Sequence, residues 1–128
     1  MIYIAINAIA IFAATTAGLI FGYFYAALMR MRGVSPAVFL TVALAEFWLA
    51  AILAGALILA PAKQDLWTMA LGSAFVIWIG FVVPVIMTSY RFRRIPVRAA
   101  LMDSVHWLGV MIIQAAILRL IGLTPPPA

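Results

Sequence analysis

The sequence predicts an all-α integral membrane protein with four transmembrane helices arranged as two antiparallel hairpins. Of its 128 residues, 69% are hydrophobic and only 9% are charged, whereas an average soluble domain carries about 25% charged residues. The few charges divide the chain into four apolar stretches, and each is long enough for the roughly 20 residues that a bilayer-spanning helix needs. We therefore expect one transmembrane domain over residues 1–128 and no soluble domain.

The first two spans are predicted over residues 2–29 and 36–60. The first stretch lacks a basic start and is longer than the roughly 7–15 apolar residues of a signal-peptide core, so we expect a retained span. Ser35 is a suitable helix cap and Pro36 suits the first helical position. The second span is apolar except for Glu46.

The third and fourth spans are predicted over residues 66–90 and 96–121. Asp65 is the expected cap of the third, and Pro84 is expected to kink it. The aromatic side chains of Trp67 and Tyr90 are expected near its two ends, at the membrane interfaces. The fourth span ends before Gly122, and residues 122–128 form a short extracytoplasmic tail.

Basic residues predict the orientation, because they are retained on the cytoplasmic side during insertion. Six basic residues lie at the first and third connections, whereas only Lys63 and Arg119 lie at the opposite ends of the spans. Both termini are therefore expected outside, in a multi-pass protein of a bacterial inner membrane. The basic residues at the first and third connections are interpreted as topology determinants that contact lipid headgroups, and not as a nucleic-acid site: Arg30, Arg32, Arg91, Arg93, Arg94 and Arg98.

A weak internal repeat relates the two predicted hairpins. Arginine turns at 30–32 and 91–93 precede Pro36 and Pro96 by similar distances. Two hairpins in the same orientation would be parallel repeats related by an axis along the membrane normal.

Small residues recur every four positions in the first span, at Ala14, Gly18, Gly22 and Ala26. Such a ridge lets helix backbones approach closely in lipid. We expect it to contact a neighbouring span of the same chain, with a homodimer interface or a ligand groove as the alternative. Gly72 and Gly80 form a sparser version of this pattern in the third span.

Glu46, Asp103 and His106 are ionisable residues inside apolar spans, where a charge costs at least about 2.5–3.5 kcal/mol. Asp103, His106 and Gln114 share one helix face by their spacing. Glu46 and His106 each follow a proline by ten residues, and therefore lie at equal depth. With Tyr25, these residues form the candidate polar or ligand site.

Two interpretations of these residues stay open. They could form a proton relay, since burial and mutual charge bring such groups towards neutral titration. They could instead form a hydrogen-bonded knot that fixes the register of the helices, with Glu46 or Asp103 accepting from His106 and the tyrosines. One histidine and no cysteine are too few donors for a transition-metal site, so neither metal nor cofactor is expected.

Four segments of the chain form a recognisable pattern: Gly22-Tyr23-Phe24-Tyr25, Trp78-Ile79-Gly80-Phe81, Arg94-Ile95-Pro96, and His106 followed by Gln114-Ala115-Ala116-Ile117-Leu118. With these segments the chain resembles the family of small bacterial membrane proteins known as domain of unknown function 1761. The resemblance covers nearly the whole chain and implies a four-helix membrane protein with a polar residue at Asp103 and a histidine at His106. It implies no established activity.

The sequence favours a non-enzymatic module that binds a lipid or hydrophobic ligand, or that serves as an accessory subunit of a membrane complex. A small proton-linked transporter using Glu46, Asp103 and His106 is the alternative. A membrane enzyme with His106 as general base and Asp103 as its orienting partner is a third, weaker hypothesis. The expected partners are membrane lipids, further copies of the chain or a larger membrane complex.

Overall fold

A computed structural model describes residues 1–31 and 33–127, and the regular elements of these residues are helices. Arg32 and Ala128, both part of the predictions above, lie outside the described residues. The elements are α1 (Ile2–Ile6), α2 (Ala8–Leu28), α3 (Pro36–Leu59), α4 (Leu66–Ile77), a π-helical segment (Trp78–Val82), α5 (Val83–Phe92) and α6 (Val97–Ile121).

Four helices are long and apolar enough to cross a membrane. They cover Ala8–Leu28, Pro36–Leu59, Leu66–Phe92 and Val97–Ile121. The predicted class, an all-α protein with four membrane-spanning helices, is thereby confirmed. The pairing into two hairpins and the internal repeat stay predictions.

The caps expected from the sequence begin two of these helices. The hydroxyl of Ser35 accepts a hydrogen bond from the main-chain N–H of Val38 at 3.3 Å. Asp65 does the same for Thr68 at 3.2 Å. Each cap satisfies a donor that the first helical turn leaves unpaired.

The first predicted span is interrupted at Asn7, between α1 and α2. The side-chain amide of Asn7 donates to the carbonyls of Tyr3 at 2.9 Å and Thr124 at 2.8 Å. Its side-chain oxygen accepts from the N–H of Thr124 at 2.7 Å. Asparagine competes with helical hydrogen bonding when its side chain can bind nearby backbone, and here it joins the two ends of the chain.

The third span contains a π-helical segment immediately before the predicted kink at Pro84. Proline lacks an N–H, and its ring crowds the carbonyl four residues earlier. The wider turn of a π-helix accommodates the ring and the missing hydrogen bond. Trp78 lies in this segment, and its indole N–H donates to the carbonyl of Ser104 at 2.7 Å. The widened turn is thus tied to α6.

Helix α6 is the central element, since it packs against α2, α3, α4 and α5. The buried core is unusually rich in alanine, which allows close helix approach without a hydrophobic driving force between helices. Its fully or almost fully buried apolar residues are Ala10, Ile11, Ala14, Ala50, Ala51, Leu53, Ala54, Ala70, Ala74, Met111, Ala115 and Leu118.

Two matching turns form the arginine-rich end of the bundle, where α2 and α5 end. Arg30 and Arg94 adopt left-handed backbone conformations with φ of 54° and 56°. In both turns the following residue returns a hydrogen bond of 2.9 Å to the last helical turn, from Met31 to Ala26 and from Ile95 to Tyr90. This is the hydrogen-bond pattern of a helix C-terminus that usually uses glycine, so the two turns share an uncommon choice of residue.

Candidate functional site

A cleft of about 290 Å³ opens near the arginine-rich end, between α2, α3 and α6. Its α3 wall is apolar and includes Val38, Phe39 and Val42. The first residues of α3, 36–41, are all exposed because this end of the helix stands away from the bundle. The cleft occupies the space that this separation leaves.

The opposite walls of the cleft carry its polar groups. Helix α2 contributes Gly22, Tyr25 and Ala26, and α6 contributes Asp103 and His106. The hydroxyl of Tyr25 donates to the carbonyl of Met102 at 2.6 Å, which holds α2 against α6. The cleft therefore combines an apolar wall with a wall that carries hydrogen-bonding side chains.

Glu46 is completely buried behind this cleft. Neither of its carboxylate oxygens has a hydrogen-bond partner among the described residues. A Cβ added at Gly18 would overlap Oε2 of Glu46, and one added at Gly22 would lie 3.7 Å from Oε1. Two glycines of α2 thus make the room that the glutamate side chain occupies.

Gln114 is another completely buried polar residue of the core. Its amide N–H donates to the main-chain carbonyl of Glu46 at 3.1 Å, not to the carboxylate. Its own side-chain oxygen is left without a partner. Gln114 therefore holds α6 to α3 but does not neutralise the glutamate.

His106 meets Glu46 at Gly22. A Cβ on Gly22 would lie 3.1 Å from Nε2 of His106 and 3.7 Å from Oε1 of Glu46, so the imidazole and the carboxylate both lie beside this glycine. Aromatic rings surround the histidine, with centroids at 6.2 Å for Phe21, 5.4 Å for Tyr25 and 5.1 Å for Trp107. The structure thus brings Glu46 and His106 together, as their equal depth predicts.

Asp103 has a tyrosine as its partner, as one of the two interpretations expects, but this tyrosine was not among the candidate site residues. Asp103 is half-buried and accepts a hydrogen bond from the hydroxyl of Tyr90. Sequence analysis placed Tyr90 at the membrane interface and missed this contact. Tyr90 lies six residues before Pro96, and Asp103 lies seven residues after it. Residues at similar distances from a short turn face each other when the two helices that it joins run antiparallel. This spacing in the sequence could have predicted the contact between Tyr90 and Asp103.

The geometry corrects the hydrogen-bonded knot for Glu46. The carboxylate accepts from neither His106 nor a tyrosine among the described residues, although His106 and Gln114 of α6 lie near the same glycines of α2. Asp103 alone follows that interpretation, through Tyr90.

The small-residue ridge of α2 contacts helices of its own chain. Ala14 is completely buried, Gly18 faces Glu46, Gln114 and Val110, and Ala26 lines the cleft. The sparser pattern in the third span does not form a contact, since no described atom lies within 4 Å of a Cβ built at Gly72 or Gly80. Those glycines point away from the bundle.

The arginines predicted to contact headgroups are exposed wherever the structure describes them, at Arg30, Arg91, Arg93, Arg94 and Arg98. None of them lines the cleft. Among residues 1–31 and 33–127, no three histidine, aspartate or glutamate side chains lie together as a metal site would require.

A family model described as "protein of unknown function (DUF1761)" matches residues 4–119. Neither a curated protein nor a solved structure matches the chain. The family match covers nearly the whole chain, including Glu46, Asp103 and His106. The chain therefore belongs to the DUF1761 family of proteins of unknown function.

Proposed function

We propose that this small membrane protein is a non-enzymatic module that binds a lipid or another hydrophobic ligand within the bilayer. The cleft between α2, α3 and α6 carries the proposal. Ligand sites are concave, mostly apolar and supplied with a few converging polar groups, and this cleft combines Val38 and Val42 with Asp103 and His106.

Binding is favoured over catalysis by the partner of Asp103. A general base of the histidine type is usually oriented by a carboxylate that accepts from its second ring nitrogen. Here the tyrosine hydroxyl of Tyr90 donates to Asp103, and His106 is surrounded by rings instead. A binding role needs no such orientation.

The test is native mass spectrometry of the protein released gently from its membrane. We expect a retained lipid or apolar molecule, and we expect Ala26→Leu, which fills the cleft, to abolish retention. Ala27→Leu is the matched control because Ala27 is exposed and does not line the cleft. Equal retention by both variants would place the ligand elsewhere and contradict the proposal. A protein partner that is retained with the wild type would instead support the role of accessory subunit.

The protein is further proposed to lie in a bacterial inner membrane with both termini outside. The support is the excess of arginine at one end of the bundle, including Arg30, Arg91 and Arg94. Reporter fusions after Arg94 should then read cytoplasmic, and fusions after Lys63 or at the C-terminus extracytoplasmic. A cytoplasmic C-terminus would overturn this orientation.

A proton-linked transporter is the second candidate. It is favoured by the carboxylate of Glu46, which has no hydrogen-bond partner among the residues that the structure describes. Ionisable groups inside membranes mark ion and proton pathways by default. Liposomes containing the purified protein should then show proton flux that Glu46→Gln abolishes. No flux above that of empty liposomes would exclude this candidate.

A further inference from the structure

We propose that the ligand of the cleft is a hydrophobic monocation, and that its binding displaces a proton from Glu46. This inference rests on the proposed binding function and adds the chemical class of the ligand. Three independent features of the described residues support it: the charges at the cleft, its aromatic lining and the missing partner of Glu46.

The charges around the cleft are acidic, although the chain as a whole is basic. The sequence contains three acidic residues against eight lysines and arginines. Two of the three, Glu46 and Asp103, lie behind or on the wall of this one cleft. Among residues 1–31 and 33–127, no lysine or arginine lines it. In the low dielectric of a membrane the carboxylate of Asp103 attracts a cation and repels an anionic headgroup, and Glu46 adds to this attraction once it has lost its proton.

The lining of the cleft also suits the apolar body of an organic cation. Tyr23, Tyr25 and Phe39 contribute aromatic rings, and Val38 and Val42 contribute aliphatic surface. Quaternary ammonium groups are recognised by the electron-rich faces of aromatic rings. A small inorganic ion needs several oxygen ligands to replace its water shell, and this mostly apolar lining offers few, so the lining favours an organic cation.

The carboxylate of Glu46 supplies an observation that is independent of the lining. It is 0% exposed and has no hydrogen-bond partner in the described part of the chain. Its Oε1 lies 3.7 Å from the position of a Cβ on Gly22, a residue of the cleft wall. An isolated buried carboxylate is too costly to keep charged, so it holds a proton. A cation that enters the cleft compensates the negative charge of the ionised Glu46 carboxylate and so lowers the free-energy cost of its ionisation.

One positive charge enters the site with the cation, and one leaves it with the proton. The O–H bond of the Glu46 carboxylic acid breaks, the proton leaves to solvent, and the carboxylate left behind forms an ion pair with the bound cation. The other titratable groups near Glu46 among the described residues are His106 and Asp103 on α6 and Tyr25 on α2. His106, next to Gly22, is placed to pass the proton towards the open end of the cleft.

The experiment compares benzyltrimethylammonium with neopentylbenzene, its neutral isostere in which carbon replaces nitrogen, on the full chain in a non-ionic detergent. Calorimetry in two buffers of different ionisation enthalpy measures both affinity and proton release. We expect the cation to bind at least about tenfold more tightly than the isostere and to release about one proton per bound cation. In Glu46→Gln, proton release should disappear and the preference for the cation should be lost.

Equal affinity for the two probes in the wild type would overturn the inference, and this comparison needs no variant. Proton release that persists in Glu46→Gln would also overturn it. The Ala26→Leu variant separates this inference from the proposed function. If that variant loses both probes equally and the wild type does not distinguish them, the cleft binds ligands but does not select cations. If it loses neither, the binding function itself fails.

Discussion

Asn7 and Glu46 are both buried polar residues in apolar helices, and their surroundings are opposite. Asn7 is 5% exposed, and its side chain makes three hydrogen bonds, to Tyr3 and to both main-chain groups of Thr124. Glu46 is 0% exposed, and its carboxylate makes none among the described residues. Burying a polar group in lipid is costly, and among the described residues this cost is offset by hydrogen bonds for Asn7 but not for the carboxylate of Glu46.

The difference separates a structural polar group from a group that needs a partner from outside. A satisfied amide fixes the position of a chain end, and its removal leaves other groups unpaired. A carboxylate without a hydrogen-bond partner contributes little to the stability of the fold, because it does not bond one helix to another. The hydrogen bonds between Asn7 and Thr124, here called the clasp, therefore have a structural role. Binding or proton exchange is expected in the region around Glu46.

The largest effect is expected from Gly18→Leu. A Cβ at this position already overlaps Glu46, and the branched side chain would push α3 and α6 away from α2, so folded yield should collapse. Gly72→Leu is the matched control because no described atom lies near Gly72. Size-exclusion chromatography in detergent measures the yield, and equal yields for both variants would remove the close contact from the interpretation of α2.

Next in size is Asn7→Ala, which should lower the free energy of unfolding by about 1–3 kcal/mol because it leaves the N–H and carbonyl of Thr124 unpaired. Thermal melting in detergent checks it. Thr124→Ala provides the control, since the clasp uses only the main chain of Thr124 and its side chain is exposed. An unchanged melting temperature in Asn7→Ala would mean that the clasp does not stabilise the fold.

A smaller pair of effects comes from two tyrosines, one in each region. Tyr3 donates to the carbonyl of Ala51 at 3.1 Å and Tyr25 to that of Met102 at 2.6 Å. Both Tyr3→Phe and Tyr25→Phe should cost about 0.6 kcal/mol, the average for hydrogen bonds between membrane helices. Only Tyr25→Phe should also change ligand retention, because Tyr25 lines the cleft. Loss of retention in Tyr3→Phe would contradict the division between the two regions.

The smallest effect on stability is expected from Glu46→Gln. The substitution keeps the shape of the side chain and removes no hydrogen bond, so the melting temperature should stay within experimental error of the wild type. Ligand retention should fall nevertheless. If Glu46→Gln melts as early as Asn7→Ala, the glutamate stabilises the fold and the contrast between the two residues is wrong.

The sequence predicts the elements whose cause is local. Apolar stretches of membrane-spanning length, the caps at Ser35 and Asp65 and the stop at Gly122 are all determined by neighbours along the chain, and the structure has helices between them. The presence of Glu46 at the depth of His106 was also visible, because depth in a helix is a count of residues. These features need no knowledge of how the helices are rotated.

Tertiary structure alone decides which of these groups meet. Rotation and approach of the helices bring Asp103 to Tyr90 and place the carboxylate of Glu46 beside Gly18 and Gly22, where it has no hydrogen-bond partner among the described residues. The break at Asn7 depends on Thr124, 117 residues away. The cleft exists because the start of α3 stands off the bundle, which no local pattern encodes. Helix formation is specified by consecutive residues, whereas contacts between helices depend on the packing of all four at once, and for that reason only the structure shows the site.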